Sequence, residues 1–343
     1  MKITIVTTMR NEGPHLLEWV AHHRAIGVTD FLVFTNDCSD GTELLLELLP
    51  CVTHVPLESD EKPPQWRALK MAWDHPVVEE SDWLMCLDCD EFINLNNSLP
   101  DLPNLIHKVD SDAIILPWRL FGHADQIDAS VLPSTQRFTR AAPLDMMYPA
   151  IGNYFKTLFR RNGPFRQLGV HRPKQKKSTR QARPVWADGS GRRVSDALAV
   201  NDEKIMHWGG GIARDLVQLN HYSVRSVAEF MIKRDRGLPN HRLKEVGLTY
   251  WVERNFNSVE DNSILWMSEG TQSVLSDFNA VPNLNDVEEQ ARYWHEKRLA
   301  TLLSQPDELN LYGRLILAGS STPPSSDKSL ELIRAYQAAH SPN

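Results

Sequence analysis

Long apolar stretches, a cysteine framework and glycine-rich phosphate loops are all missing from this sequence of 343 residues. No apolar run approaches the ~20 residues that a membrane-spanning helix needs. The chain begins MKITIVTT, which is already typical of a strand, so we expect neither a signal peptide nor a membrane anchor. We therefore expect a cytoplasmic protein, and leave open peripheral contact with the inner face of a membrane.

The four cysteines, Cys38, Cys51, Cys86 and Cys89, all lie in the first quarter or so of the chain. Cys86 and Cys89 have CxxC spacing, but they fall in the strand-like run DWLMCLDCD. Residues three apart on a strand point to opposite faces, which suits neither a shared zinc ion nor a disulfide. Reduced thiols are therefore the expected state.

Two phosphate-binding signatures are also missing. No GxGxxG follows the first strand and no GxxxxGK[ST] occurs, which argues against a Rossmann cofactor site and a P-loop kinase. The formal charge of −7 argues against nucleic-acid binding. This total hides two opposed parts, because residues 156–193 contain twelve basic residues and one acid, and the rest of the chain carries −18.

Strand and helix patterns alternate over the first 95 residues. Such alternation predicts an α/β fold with a mainly parallel sheet and helices on both faces. The predicted strands are 3–7, 31–35, 52–55 and 83–87, and the predicted helices are 14–26, about 42–49 and 64–73. Less regular strands are predicted at 113–118, 137–139, 154–159 and 218–222, followed by a helix at 226–236.

The domain organisation follows from these patterns. We expect a catalytic domain over 1–240, with a nucleotide-binding half at 1–95 and an acceptor half at 96–240. The acceptor half contains a basic surface loop at 172–193. Residues 241–343 read as a helical C-terminal extension, whose clearest helix, 286–303, is predicted to be capped by Asp286.

Polar residues follow three of the predicted parallel strands: Thr7 and Thr8, Asn36 and Asp37, and Asp88 and Asp90. Ligands in such sheets bind outside the carboxyl ends of the strands, so these side chains should converge on one site. Asp88 and Asp90 are two residues apart, and both carboxylates can face the same cleft. This arrangement suits a hard divalent cation held by few protein oxygens, with the other positions left to water and a diphosphate.

Several motifs together resemble a known family. They are TTMRNEGPHLLEWVAHHRAIGVTDFLVFTNDCSDGT, QWRALKMAW, DWLMCLDCDEFINL and NHYSVRSVAEFMIKRDRG, with shorter matches at WRLFG, QRF and LFRRNGPFRQLGVHRP. In order and spacing they resemble glycosyltransferases of the family 2 type, in particular the branch similar to glycosyltransferase family 92. The resemblance is continuous over the first third and absent beyond about residue 240.

The resemblance implies a GT-A fold, a UDP- or GDP-linked sugar as donor and a manganese or magnesium ion. By this resemblance Asp88 and Asp90 form a DxD motif that meets the metal, and the further metal ligand is His221, with His171 or His207 as alternatives. The implied nucleotide-binding residues are Thr8, Arg10, Asn11, Glu12, Asn36, Asp37, Arg67 and Asp88.

An inverting transferase also needs a carboxylate base for the acceptor hydroxyl. Asp125, Asp128 and Asp145 are the candidates, and nothing in the sequence separates them. Trp118 and Trp208 could stack on a sugar face, although most tryptophans must belong to the core. The basic segment could face the phosphates or an anionic acceptor, or it could be a solvated loop.

The sequence therefore predicts a metal-dependent glycosyltransferase of the hexosyltransferase type, with a glycan or lipid-linked acceptor and a place in polysaccharide biosynthesis. A sugar-phosphate nucleotidyltransferase is the alternative enzyme, although its glycine-rich loop is reduced here to RNEG. A non-catalytic carbohydrate-binding protein of the same fold is the third possibility.

Overall fold

The computed structural model of the chain describes residues 1–58, 62–175, 183–208, 213–238 and 245–339. Its strands, numbered in chain order, are β1 Ile3–Met9, β2 Asp30–Thr35, β3 Val52–Pro56, β4 Trp83–Cys86, β5 Glu91–Leu95, β6 Ala113–Leu120, β7 Arg140–Ala141, β8 Phe155–Arg160, β9 Phe165–Gln167, β10 Lys174–Gln175, β11 Trp186–Ala187, β12 Val217–His221 and β13 Val259–Glu260.

The helices of the described ranges are numbered in the same way, and the short 3₁₀ helices Ala150–Asn153 and Leu265–Met267 lie among them. They are α1 Gly13–Ala25, α2 Thr42–Leu48, α3 Pro64–Trp73, α4 Pro76–Glu79, α5 Leu102–Val109, α6 Ser134–Arg137, α7 Asp196–Ala199, α8 Val227–Arg236, α9 Leu248–Val252, α10 Ser268–Asn279, α11 Leu284–Leu303, α12 Pro306–Ala318 and α13 Ser326–Ala339.

Nine of these strands form the central sheet. Eight lie in the order β3-β2-β1-β4-β8-β6-β12-β5, and β11 pairs with β6. β8 is antiparallel to its neighbours β4 and β6, and β5 is antiparallel to β12, whereas the other pairs are parallel. Val6 of β1 pairs with both Leu32 and Cys86, so the first strands end near one another. The predicted α/β fold with a mainly parallel sheet is confirmed.

Two hydrophobic cores cover the two faces of the sheet, because successive residues of a strand point to opposite sides. On β1, Ile5 belongs to the core under α1, α10 and α11. Its neighbour Val6 belongs to the core under α3, α4 and α7. The helices thus bury both faces and leave the carboxyl edge of the parallel strands open for polar side chains.

The C-terminal helices pack directly on the N-terminal half. α10 lies along α1, and α11 contacts α1, α2 and α8. Asp40, in the loop after β2, accepts hydrogen bonds from the backbone N–H of Gly13 (3.0 Å) and Thr42 (2.9 Å). Its Oδ2 also lies 2.9 Å from Nε2 of His295 on α11. Asp40 therefore ties the ends of β1 and β2 to the C-terminal extension.

Three predicted elements differ from the structure. Arg137 belongs to helix α6, which begins after Pro133, so the strand predicted at 137–139 is wrong. Helix α11 begins at Leu284 after Asn283, and Asp286 lies within its first turn instead of capping it. The predicted basic loop contains β10 and the buried β11, because Trp186 packs inward despite the polar sequence around it.

The structure also bears on the cysteines and on membrane-spanning helices. All four cysteines are free thiols, and Cys86 and Cys89 are buried. Among the helices of the described ranges, none combines the length and the apolar character needed to cross a bilayer.

Candidate functional site

One cavity of about 610 Å³ opens at the carboxyl ends of the parallel strands. Most of the predicted site residues line it: Thr8, Arg10, Glu12, Asn36, Asp37, Asp88, Asp90, His171 and His221. Its wall does not include Asn11, Arg67, His207, Asp125, Asp128 or Asp145. The polar residues at the ends of the parallel strands therefore line one cavity, as the sequence predicts.

The loops after β1 and β2 are tied to each other at the cavity mouth. Asn11 and Asp37 both have a left-handed backbone, with φ of 51° and 50°. Such conformations favour residues with short polar side chains, Asn and Asp among them. Oδ1 of Asn11 accepts a hydrogen bond from the backbone N–H of Ser39 at 2.8 Å. Asn11 therefore positions the second loop and does not itself face the cavity.

Asp88 lies between the cavity and a buried lysine. Its Oδ2 accepts a hydrogen bond from Nζ of Lys156 at 3.0 Å, and its Oδ1 accepts one from Gln65 at 3.2 Å. Lys156 is fully buried and also lies 3.3 Å from Glu91. Burial opposes the ammonium, but the Asp88 and Glu91 carboxylates outweigh it and raise the pKa of Lys156. Lys156 therefore stays charged beside Asp88.

Asp90 is buried beside a second lysine. Its Oδ2 accepts a hydrogen bond from Nζ of Lys233 at 2.6 Å, and its Oδ1 lies 3.5 Å from Nε2 of His221. Burial disfavours a carboxylate, but the charge of Lys233 outweighs it and holds the pKa of Asp90 well below its usual range. The pKa of His221 is lowered, chiefly by burial, so its imidazole is neutral at neutral pH.

Ion pairs with Glu12 connect the end of α8 to the loop after β1. The guanidinium of Arg236 pairs with one carboxylate oxygen of Glu12, and Arg225 donates to the other at 3.2 Å. Arg10 and Arg236 also donate to each other's backbone carbonyls, at 3.1 and 2.8 Å. Glu12 therefore acts as an anchor for cavity-lining cations more than as a direct contact for a nucleotide.

The three candidate histidine ligands differ in how their rings are held. Nδ1 of His171 lies 2.9 Å from the carbonyl of Phe155, so Nδ1 must carry the proton and Nε2 keeps a lone pair. Burial and the charge of Lys156 lower the pKa of His171 to about 3. Nδ1 of His221 has no partner in the described part of the chain. His207 lies outside the cavity wall.

Asp88, Asp90 and the neighbouring histidines are residue types that bind divalent cations, but they are not arranged as a metal site. In the described ranges no three His, Cys, Asp or Glu side chains form a group that could hold a metal ion. Each carboxylate oxygen of Asp88 and Asp90 instead faces a lysine, an amide or an imidazole. A divalent cation at Asp88 and Asp90 would therefore have few protein ligands and would need water or ligand oxygens at its other positions.

The predicted base candidates lie on the surface. Asp125 is paired with Arg140 at 2.6 Å and its side chain is 70% exposed. Asp128 and Asp145 are also exposed. The carboxylates that do line the cavity are Glu12, Asp37, Asp88 and Asp90.

The basic segment contributes little to the described cavity wall. Arg172 is buried, donates to the carbonyls of Leu198 and Ala199, and stacks on Trp186. Arg192 pairs with Asp215 at the surface. Residues 176–182 and the glycines of the HWGGG motif lie outside the described residues.

The cations that line the cavity among the described residues come from other parts of the chain, and only Arg10 was among the predicted site residues. They are Arg10, Lys233, Arg236 and Arg254. Lys233 and Arg236 do fall within NHYSVRSVAEFMIKRDRG, one of the motifs that carry the resemblance. A helical projection of 226–236 could have drawn attention to them, since they lie three residues apart on one face of α8.

Comparisons with known proteins agree with the resemblance over a short stretch. No family model matches the chain. A glycosyltransferase family 92 protein of Arabidopsis thaliana is 28% identical over 94 residues, a match that covers 26% of this chain and 16% of that protein. The chain thus spans about a sixth of the length of this relative, which supports a likeness to that family and does not establish membership.

Two solved structures illustrate the structural comparison. HddC of Yersinia pseudotuberculosis is 12% identical, with 55% of this chain and 89% of that chain covered and a TM-score of 0.30. The 4-diphosphocytidyl-2C-methyl-D-erythritol synthase of Anaerococcus prevotii is 14% identical, with 47% and 71% covered and a TM-score of 0.25. TM-scores of this size carry no weight for the function.

Proposed function

We propose that this protein is a glycosyltransferase of the hexosyltransferase type. It moves a sugar from a UDP- or GDP-linked donor to a hydroxyl group of a glycan or lipid-linked acceptor, in polysaccharide biosynthesis. The observation that carries the proposal is the cavity of about 610 Å³ that polar side chains at or just after the ends of β1, β2, β4 and β12 line together. This volume lies within the usual range for small-molecule sites, roughly 300–1,000 Å³.

The nucleoside would lie against the ends of β1 and β2. Thr8, Asn36 and Asp37 line that side of the cavity and can bind hydroxyl or amide groups. Oγ1 of Thr8 is buried and has no partner among the described residues. An acceptor oxygen on a ribose or base would satisfy this hydroxyl, which is otherwise costly to bury.

The diphosphate would lie across the end of β4, near the cations of α8. Arg10, Lys233 and Arg236 line the cavity there. As the bond from the anomeric carbon to the diphosphate breaks, negative charge develops on the leaving oxygen. Positive groups that are already fixed in place stabilise this charge at little cost in reorganisation. Glu12 and the carbonyl of Arg10 fix Arg236 in this way.

A manganese or magnesium ion fits the chemistry of Asp88, Asp90 and a neutral imidazole, with His221 as the first choice and His171 as the alternative. A bound divalent cation neutralises the charge of a departing diphosphate. Asp90 is paired with Lys233, so we expect Lys233 to release Asp90 and contact a phosphate when the cation binds. Lys156 remains behind Asp88, with its Nζ 3.0 Å from Oδ2 of Asp88.

Isothermal titration calorimetry with UDP-glucose and GDP-mannose, each with Mn²⁺ or EDTA, tests the proposal. We expect one of them to bind with Mn²⁺, and Asp88→Asn to weaken that binding by about tenfold or more. Asp82→Asn is the matched control, because Asp82 precedes β4 at the opposite end of the same strand and is exposed. Absence of metal-dependent binding to either nucleotide sugar would overturn the metal-dependent transferase.

The two alternatives make different predictions in the same preparation. Nucleotidyltransfer requires release of pyrophosphate from a nucleoside triphosphate and a sugar phosphate. Gly13, the glycine of the RNEG loop, packs against α11, where an added Cβ would lie 2.6 Å from Cβ of Ala291, so it does not form a phosphate cradle. A non-catalytic protein would bind the nucleotide sugar without hydrolysis or transfer across a broad acceptor screen.

A further inference from the structure

The cavity extends beyond the strand ends that we assign to the nucleotide. In the sheet, β1 and β2 lie on one side of β4, whereas β6 and β12 lie on the other. Trp118 of β6, Tyr154, Tyr250 and Arg254 line this second part of the cavity, and we call these four residues the far wall. β4, which leads into the loop with Asp88 and Asp90, therefore lies between Trp118 and the strand that ends before Asn36 and Asp37.

Aromatic rings supply most of the far wall. The ring centroids of Trp118 and Tyr154 lie 5.4 Å apart with a 38° angle between the planes. Such rings offer flat apolar faces to the C–H face of a sugar, and their polar tips reach its hydroxyls. Nε1 of Trp118 is buried and has no partner in the described residues, so a ligand oxygen would satisfy it.

Arg254 supplies the charge of the far wall. It is 4% exposed, and its Cζ lies 3.7 Å from the ring centroid of Tyr250. Nη1 donates to the carbonyl of Tyr250 (3.3 Å) and to Glu253 (3.2 Å), whereas Nε is buried with no partner in the described ranges. The Glu253 side chain is 44% exposed, so this pair is a weak surface ion pair.

The cations of α8 are compensated differently. Lys233 is matched by the buried carboxylate of Asp90, and Arg236 by that of Glu12. Among the described residues, Arg254 forms an ion pair with the exposed Glu253 and with no buried carboxylate, so its positive charge remains available at the cavity.

We infer that the far wall binds the acceptor sugar and that Arg254 selects a sugar with a carboxylate or phosphate group. A guanidinium recognises both groups through paired N–H donors, and the aromatic rings hold the pyranose beside it. The inference rests on the proposed function in calling this sugar the acceptor, because the nucleoside of the donor is assigned to the β1–β2 side of β4. The anion preference itself does not depend on turnover.

Titration of the full chain with glucuronate, glucose 6-phosphate and glucose, in the presence of UDP and Mn²⁺, tests this inference. We expect at least one of the two anionic sugars to bind about tenfold or more tightly than glucose, as charge-assisted hydrogen bonds from arginine allow. Arg254→Gln should reduce that affinity to the level of glucose and leave the affinity for UDP within about twofold. Which anion binds more tightly identifies the acceptor group.

Arg254→Lys keeps the positive charge and is the control for a folding defect in Arg254→Gln. It should retain a reduced preference for the anionic sugar, with the melting temperature of the wild type. Arg192→Gln, which removes an exposed arginine, should change neither sugar nor UDP affinity. Equal affinity for the three sugars, or no binding of any at millimolar concentration, overturns the inference. A loss of UDP affinity equal to the loss of sugar affinity in Arg254→Gln also overturns it, because Arg254 would then belong to the diphosphate.

If the anion preference is found but no nucleotide sugar binds, the proposed transferase fails while the anion site stands. If a nucleotide sugar binds but the anion preference is missing, the far-wall inference fails alone.

Discussion

The two sides of the cavity are built in different ways. On the β1–β2 side, Thr8, Asn36 and Asp37 lie at or directly after the strands and are fixed by local backbone geometry. Across β4, the wall comes from β6, α9 and the segments around Tyr154, which are distant in sequence. The first side depends on where strands end, and the second depends on how the whole chain packs.

Between these two sides lie buried ion pairs. Asp90 with Lys233, and Asp88 with Lys156, place charges of both signs at the end of β4. Burying such charges is costly, and the loss of one partner is costlier than the loss of both. The centre of the cavity should therefore be the part most sensitive to single substitutions, ahead of the two sides.

The largest effect is expected for Asp90→Asn. It leaves Lys233 buried without a carboxylate, so the free energy of unfolding should fall by about 3–5 kcal/mol in urea denaturation. The double variant Asp90→Asn/Lys233→Met should recover most of the stability without recovering cation-dependent binding. Equal stability of the single variant and the wild type would show that the pair is not buried as described.

A second effect concerns acid stability. His22 is buried and hydrogen-bonded to the carbonyl of Ile93, and burial lowers its pKa to about 4. Between about pH 6.5 and 4, the unfolded chain binds a proton at His22 that the folded chain does not, so stability is lost as the pH falls.

The measurement for His22 is the free energy of unfolding against pH, in the wild type and in His22→Gln. The slope near pH 5 should be smaller in the variant by up to about 1.4 kcal/mol per pH unit, which corresponds to one proton. Identical slopes would contradict the assignment of His22 as a neutral buried group.

A smaller effect distinguishes the nucleoside side from the centre. Asp37→Ala should weaken UDP or GDP binding by about tenfold, because a charge-assisted hydrogen bond is lost, and should leave inorganic pyrophosphate binding unchanged. Asp74→Ala, at an exposed position after α3, is the control. A parallel loss of pyrophosphate affinity would place Asp37 at the diphosphate.

The smallest effect is expected for Asp125→Ala. The exposed pair with Arg140 contributes about 0–1 kcal/mol, so the melting temperature should barely change. Donor binding should also be unchanged, because Asp125 lies outside the cavity wall. A large loss of transferase turnover with intact folding would instead identify Asp125 as the catalytic base and enlarge the site towards the surface.

The contrast between the strand-end side of the cavity and the side built by tertiary packing explains how much of the site could be predicted from the sequence. Runs such as WLMC locate strands, and a parallel sheet brings the residues after them together, so Asp37, Asp88 and Asp90 could be placed in one cleft. Lys233 reaches Asp90 from 143 residues away, and no local pattern encodes that distance. The basic composition of 156–193 suggested a phosphate-binding loop, but Lys156 and Arg172 are buried by tertiary packing.

The most direct test is a crystal of this protein soaked with Mn²⁺ and UDP, and a second crystal soaked with Mn²⁺ and GDP. We expect ribose or base density between Thr8 and Asp37, a diphosphate near Lys233 and Arg236, and an anomalous manganese peak at Asp88 and Asp90. Lys233 should have left Asp90. A nucleotide bound elsewhere, or density for neither nucleotide in a cavity accessible to solvent, would contradict the central claim.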